Sequence, residues 1–324
     1  MAERGAWVLV AADWRGMSRT DLTVVAKALI SQPELLFSGV PENLMQGFVN
    51  QQAVLTLVSR RLEEFAGDAA AASDWGAGGG AAVPCAFYGI SQGAILGAGY
   101  TEFSSLIRRS VLGSGGTPFA LLMPRSVDFG LYHSLLELNV PRARDVRLLL
   151  SLLQMSWDRL EAAAWLASAA SSRSDEEIEA ESNERRKAVL MQAGTGDSEV
   201  SVIGTEILAR ALEATAVTPV AVPSWGIQAQ TATTTRATPS TSCKGEGVPG
   251  SEECCPAVGA SLALYDYRRE AAEVPDNDTP PPPGWVHMCV RHDPDAEQQV
   301  LTFLKTGCVV NYCDGACERP YCRA

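Results

Sequence analysis

Apolar positions along this chain form short unbroken runs separated by stretches of helical spacing, an alternation that predicts a mostly parallel sheet flanked by helices. Trp7 to Ala12 is a strand candidate. Ser18 followed by Asp21 reads as a capping box opening a helix to about Ile30. Pro41, at a first helical position, starts a longer helix whose Leu44, Met45, Phe48, Val54, Leu55, Val58 and Leu62 fall mostly on one face. Residues 67–82 are rich in Ala and Gly and read as a flexible surface loop. Cys85 to Gly89 is apolar and uncharged, a short buried strand, and helical spacing resumes from Gln92.

The following run, SVLGSGG, predicts a strand ending in a glycine loop at 114–116. That loop lacks the Lys and Ser/Thr of a phosphate cradle. Residues 117–170 carry helical patterns, and 171–187 form a charged, solvated segment. A helical insertion over about 117–185 would be a cap above the sheet, or else an ordinary outer layer; apolarity does not separate the two. Ala188 to Ala193 predicts another strand, followed by a helix over about Val200 to Ala214. Residues 229–257 are a Thr/Ser/Pro/Gly-rich insert expected to be disordered. Ser261 to Tyr267 is the last strand candidate. After a Pro-rich loop at 280–283, Asp293-Pro294 caps a final helix to about Thr306, and a Cys-rich tail occupies 307–324. These elements read as one domain spanning 1–324.

One junction carries chemistry. Gly89-Ile90-Ser91-Gln92-Gly93 is a G-x-S-x-G placed where a strand turns into a helix, the setting of a nucleophile elbow. Such a turn strains the backbone at Ser91, and the two glycines would let helix and strand approach without a Cβ clash. The plain alternative is a buried strand–helix turn with an incidental serine. Composition narrows the partners. A net charge of −12 argues against nucleic acid and anionic membrane surfaces, and no run approaches 18 apolar residues. The N-terminal MAERGAWVLVAADW does not read as a signal peptide. Nine cysteines include no C-x-x-C pair, and H-E-x-x-H and G-x-G-x-x-G are absent, so no metal or cofactor is expected. Within NYCDGACERPYC, a disulfide and free thiols are equally compatible with the spacing, and the compartment stays open.

A serine nucleophile needs a base and usually an acid to orient it. Asp197 lies just past a strand on a Gly-Thr-Gly turn that would project its carboxylate over the sheet; alternatively it satisfies local backbone donors. Of three histidines, His133 precedes the acid. His287 and His292 both fall between the last strand and the last helix, where the base belongs. Trp285 and Met288 beside His287 suit a partly buried imidazole in a loop, whereas His292 adjoins a helix cap. Arg291 has no assigned role.

At these residues the chain resembles the α/β-hydrolase superfamily, and is similar to a group of large, mainly bacterial α/β-hydrolase-like proteins. The similar segments are VLVAADWRGMS, FYGISQGAILGAGY, VLGSGGTPFALLMPRSVDF, LMQAGTGDSEV and VHMCVRHDPDAEQQVLTFLKTG, which span the chain apart from its inserts. The resemblance implies an α/β-hydrolase fold with a helical cap. It implies Ser91 as nucleophile, Asp197 as acid, His287 as base and the Gln92 N–H as an oxyanion donor, acting without a cofactor on a small ester-like substrate through an acyl-enzyme. In that pattern several strands and a His-Gly loop precede the strand that VLVAADWRGMS resembles, so this chain reads as N-terminally truncated. Loss of one oxyanion donor costs about 10²- to 10³-fold in rate, while missing strands would uncover a sheet edge. Rival expectations are a serine peptidase with the same triad, a non-catalytic binding or scaffold protein of this type, and an inactive fragment.

Overall fold

The computed structural model describes residues 7–61, 85–165, 187–229, 259–267 and 286–319. The expected loop at 67–82, most of the charged segment 171–187, the insert from 230 to 257 and the Pro-rich loop at 280–283 lie outside them. In chain order the elements are α1 (Leu22–Ile30), α2 (Gly39–Arg60), β1 (Cys85–Ile90), α3 (Gln92–Phe103) and β2 (Ile107–Gly113). Then come α4 (Phe119–Leu122), α5 (Phe129–Glu137), α6 (Ala143–Trp157), β3 (Ala188–Thr195), α7 (Val202–Ala211) and the two-residue β4 (Thr215–Ala216). The series ends with β5 (Ala260–Asp266), α8 (Val286–His292) and α9 (Pro294–Thr306). The five strands form one parallel sheet in the order β1-β2-β3-β5-β4.

Alternation along the central strands sorts side chains to two covered faces. Val189 and Met191 of β3, and Leu262 and Leu264 of β5, pack with Ala94 and Ala98 of α3 and Leu208 of α7. Leu190, Ala263 and Tyr265 face the other way, onto Val286 and Val290 of α8 and Val300 and Phe303 of α9. Helices α1, α2 and α4–α6 build a further core with Ile95 and Leu96 of α3. Within it Trp14, Phe48, Tyr100 and Phe103 meet edge-on or tilted at 5.3 to 6.4 Å between ring centroids, packing that adds to simple burial.

Several expectations need correction. Trp7 to Ala12 forms no strand: Val8, Leu9 and Val10 are 39%, 65% and 44% exposed. Side chains, not ladder bonds, fasten this segment: Trp7 packs against the core of α8 and α9, and the end at residues 12–14 is tied to α2. Gln51 Nε2 donates to the Ala12 carbonyl at 2.9 Å, and Trp14 Nε1 to the Leu44 carbonyl at 3.3 Å. β1 is accordingly an edge strand of the described sheet, with Tyr88 exposed. The capping box at Ser18 is half made. Asp21 Oδ2 accepts from Ser18 N at 3.1 Å, but α1 begins only after Asp21. α2 starts two residues before Pro41. Lys187, read as part of a solvated run, instead places its ammonium on the carbonyls of Thr101, Glu102 and Ser104 at the C-terminal end of α3, where a cation is favoured. The final helix is as expected: Asp293 Oδ1 accepts from Asp295 N and Ala296 N, and Gly307 closes it left-handed.

The cysteine tail packs on the sheet. Cys313 and Cys317 form a disulfide with each other, and Cys289 and Cys308 are each engaged in a disulfide as well. Arg319 donates to Asp293 and Asp295 and lies over the Tyr265 ring. Among the described residues, no helix is long and apolar enough to cross a membrane.

Candidate active site

The elbow is set by its two flanking elements. The β1–β2 ladder runs to Ile90 opposite Gly113, and Ser91 N adds one more bond to the Gly113 carbonyl at 2.8 Å. The chain then reverses into α3, leaving Ser91 at φ 57°, ψ −127°. A non-glycine residue there is strained by roughly 1–3 kcal/mol, and such strain clusters at functional positions. A Cβ at Gly89 would overlap the Gly93 carbonyl, so the first glycine of the motif is required by close approach. A Cβ at Gly93 would meet nothing within 4 Å, so the expected second clash does not exist. Gln92 opens α3, and its N–H therefore has no helical acceptor. Its side-chain Nε2 is buried without a hydrogen-bond partner.

Asp197 and His287 meet 90 residues apart in the chain. His287 Nδ1 lies 2.7 Å from Asp197 Oδ2, and both side chains are buried. Asp197 Oδ1 accepts the backbone N–H groups of Glu199 and Val200, each at 2.9 Å. The carboxylate thus folds its own loop with one oxygen, the local role weighed for it, and holds the imidazole with the other. His287 sits in the first turn of α8, not in a loop as expected. That helix lies close to β3 because Gly194 leaves room: a Cβ there would come within 2.9 Å of Val286 and 3.1 Å of Val290. His292 ends the same helix in solvent, and His133 on α5 pairs with Glu137 at 3.7 Å.

The other ring nitrogen, Nε2, faces Glu199 Oε2 at 3.5 Å, and that carboxylate is 27% exposed. Burial pushes the His287 imidazole towards its neutral form. The hydrogen bond and charge of Asp197, then the charges of Glu199 and Asp128, outweigh burial and raise its pKa above the ordinary histidine value. Burial raises Glu199 as well, opposed by His287 and reinforced by Asp128 and Asp197. Ser91 Oγ and His287 are not hydrogen-bonded to each other. Ser91 and Gln92 share the wall of a cavity of about 300 Å³ with Asp128, Glu199 and Val200, the last two from the Asp197 loop; Asp197 and His287 themselves do not line it. Sequence reasoning missed Glu199. Its only local signal was its place two residues after Asp197, on a loop already suspected of carrying the acid.

Among the described residues no cluster of three His, Cys, Asp or Glu side chains could hold a metal ion. Compared with protein-family models, curated proteins and solved structures, the chain matches none.

Proposed function

We propose that this chain is a serine hydrolase of α/β-hydrolase type, cleaving an ester-like acyl bond through a Ser91 acyl-enzyme. The observation that carries the reading is a strained serine on a strand–helix turn, in one cavity wall with a loop whose aspartate orients a buried histidine. Asp197 Oδ2 keeps the proton on Nδ1, which leaves Nε2 free to accept one. His287 Nε2 takes the hydroxyl proton as Ser91 Oγ bonds to the acyl carbon. The Gln92 N–H stabilises the resulting oxyanion, and its buried side-chain amide is a further donor beside the same cavity. Collapse breaks the bond to the alcohol, which leaves with the proton from Nε2. Water then repeats the sequence and releases the acid. Catalytic hydrogen bonds are often unformed before substrate binds. Here Nε2 must exchange Glu199 for Ser91 Oγ.

A fluorophosphonate probe should label the folded chain, and Ser91→Ala should abolish labelling and reduce turnover of a p-nitrophenyl ester by about 10⁴-fold or more. Equal labelling of the Ala variant would remove Ser91 from the mechanism. The unmade Ser91–His287 bond favours a second reading, a non-catalytic binding protein of the same fold. Ester turnover that disappears in His287→Ala would exclude it.

A further inference from the structure

We infer that the substrate is a neutral ester of an unbranched medium-length fatty acid, its acyl chain lying in the cavity between α1, α5 and α6; this rests on the hydrolase reading above. Among the described residues, six of those in the wall are polar, Ser91, Gln92, Ser126, Asp128, Tyr132 and Glu199; the rest are aliphatic, aromatic or Met. A site of that composition gains affinity by taking apolar surface out of water and uses its few polar groups for orientation. A cavity of about 300 Å³ is at the small end of ligand sites, room suited to an unbranched chain of medium length rather than a bulky ring system. Leu22, which lines the cavity, is also exposed, so the space opens beside the start of α1.

The acyl half is the better occupant for a chemical reason. It stays bonded to Ser91 through both steps, whereas the alcohol must leave between them, so a chamber whose contacts persist suits the part that remains. Charge sets the second limit. Among the described residues no Lys, Arg or His lines the cavity, while the carboxylates of Asp128 and Glu199 do. Glu199 lies 3.5 Å from His287 Nε2, and both carboxylates act on that imidazole through their charge. Esters with anionic leaving groups, such as phosphate-bearing thioesters, would meet repulsion without a compensating cation. The fatty acid formed on hydrolysis carries a new carboxylate at that same position, so the same repulsion assists its departure.

The test is kcat/KM of the full chain on p-nitrophenyl esters from acetate to palmitate, with decyl acetate as the alcohol-side control. Each added acyl methylene should raise kcat/KM up to about fourfold, levelling near eight to ten carbons, and ethyl decanoate should be preferred to decyl acetate. Leu149→Trp, a half-buried wall position, and Leu150→Trp at a buried one should each lower the decanoate-to-acetate ratio at least tenfold. Acetate turnover that depends on Ser91 but shows a flat chain-length profile overturns the inference and leaves the hydrolase reading intact. A preference for decyl acetate does the same. No Ser91-dependent turnover or labelling at any length sinks both.

Discussion

The two halves of the candidate site are fastened in different ways. At the ends of β3 and β5 the pair that matters is locked from several sides: Asp197 holds two backbone N–H groups and the imidazole, and Thr195 bonds across to Asp266 and to Tyr267 N, although Ser198 Oγ and the Tyr267 hydroxyl are buried without a partner. At the end of β1, Ser91 is positioned by its backbone alone, its hydroxyl is not bonded to His287, and the amide Nε2 of Gln92 has no partner. The β3–β5 half lies inside the sheet and the β1 half at its edge. The contrast teaches which part is preset. In the proposed mechanism the tautomer of His287 is decided before substrate arrives, whereas the contact between base and nucleophile is completed afterwards, with Glu199 giving way.

The contrast can be broken most severely at Asp197. Asp197→Asn retains the acceptor used by Glu199 N and Val200 N but presents an N–H to the imidazole, forcing the proton onto Nε2. Turnover should fall by about 10³- to 10⁴-fold with little change in melting temperature; a large loss of stability instead would mean that the ion pair, not the tautomer, is what the loop needs.

A second disruption acts on the helical layer that walls the cavity. Glu161 is buried, accepting from Thr117 Oγ1, Phe119 N and Gln154 Nε2 at 2.7 to 2.8 Å. Burial nonetheless pushes its pKa up to about 7. Because that value exceeds the unfolded value of 4.5, its contribution is complete below pH 4.5 and is lost as pH rises through 7. Stability to urea should therefore decline by up to about 3 kcal/mol between pH 4.5 and 8, and Glu161→Gln should flatten that slope.

The gentlest probe separates the two halves at their meeting point. Glu199→Gln removes one of the carboxylates that favour a charged His287, so the acid limb of kcat/KM against pH should move to lower pH, with kcat altered only severalfold. An unmoved limb would mean that Glu199 does not face the base in the working enzyme.

The same contrast marks what could be read in the sequence. The β1–elbow–α3 unit was legible because its signals are local: a short apolar run, a strained turn, then small residues that let α3 lie against β1 and Leu160. α9 was legible from Asp293-Pro294. Elements fixed by distant partners were not. The helical state of α8 depends on seating against Gly194 in β3. The segment at Trp7 has the composition of a strand, but side-chain bonds tie its end to α2. Glu199 gained its place only when the chain brought α8 back to the β3 loop, 88 positions later by number at His287.

Asp197 also limits how this loop can vary. Lengthening it to glutamate would move both oxygens and disturb the turn and the ring together, while shortening it to alanine would abandon both. Only asparagine separates the two duties, preserving the scaffold and disabling the proposed proton transfer, so on that proposal a single amide-for-acid exchange would convert this chain into a folded, ligand-ready but inert copy of itself.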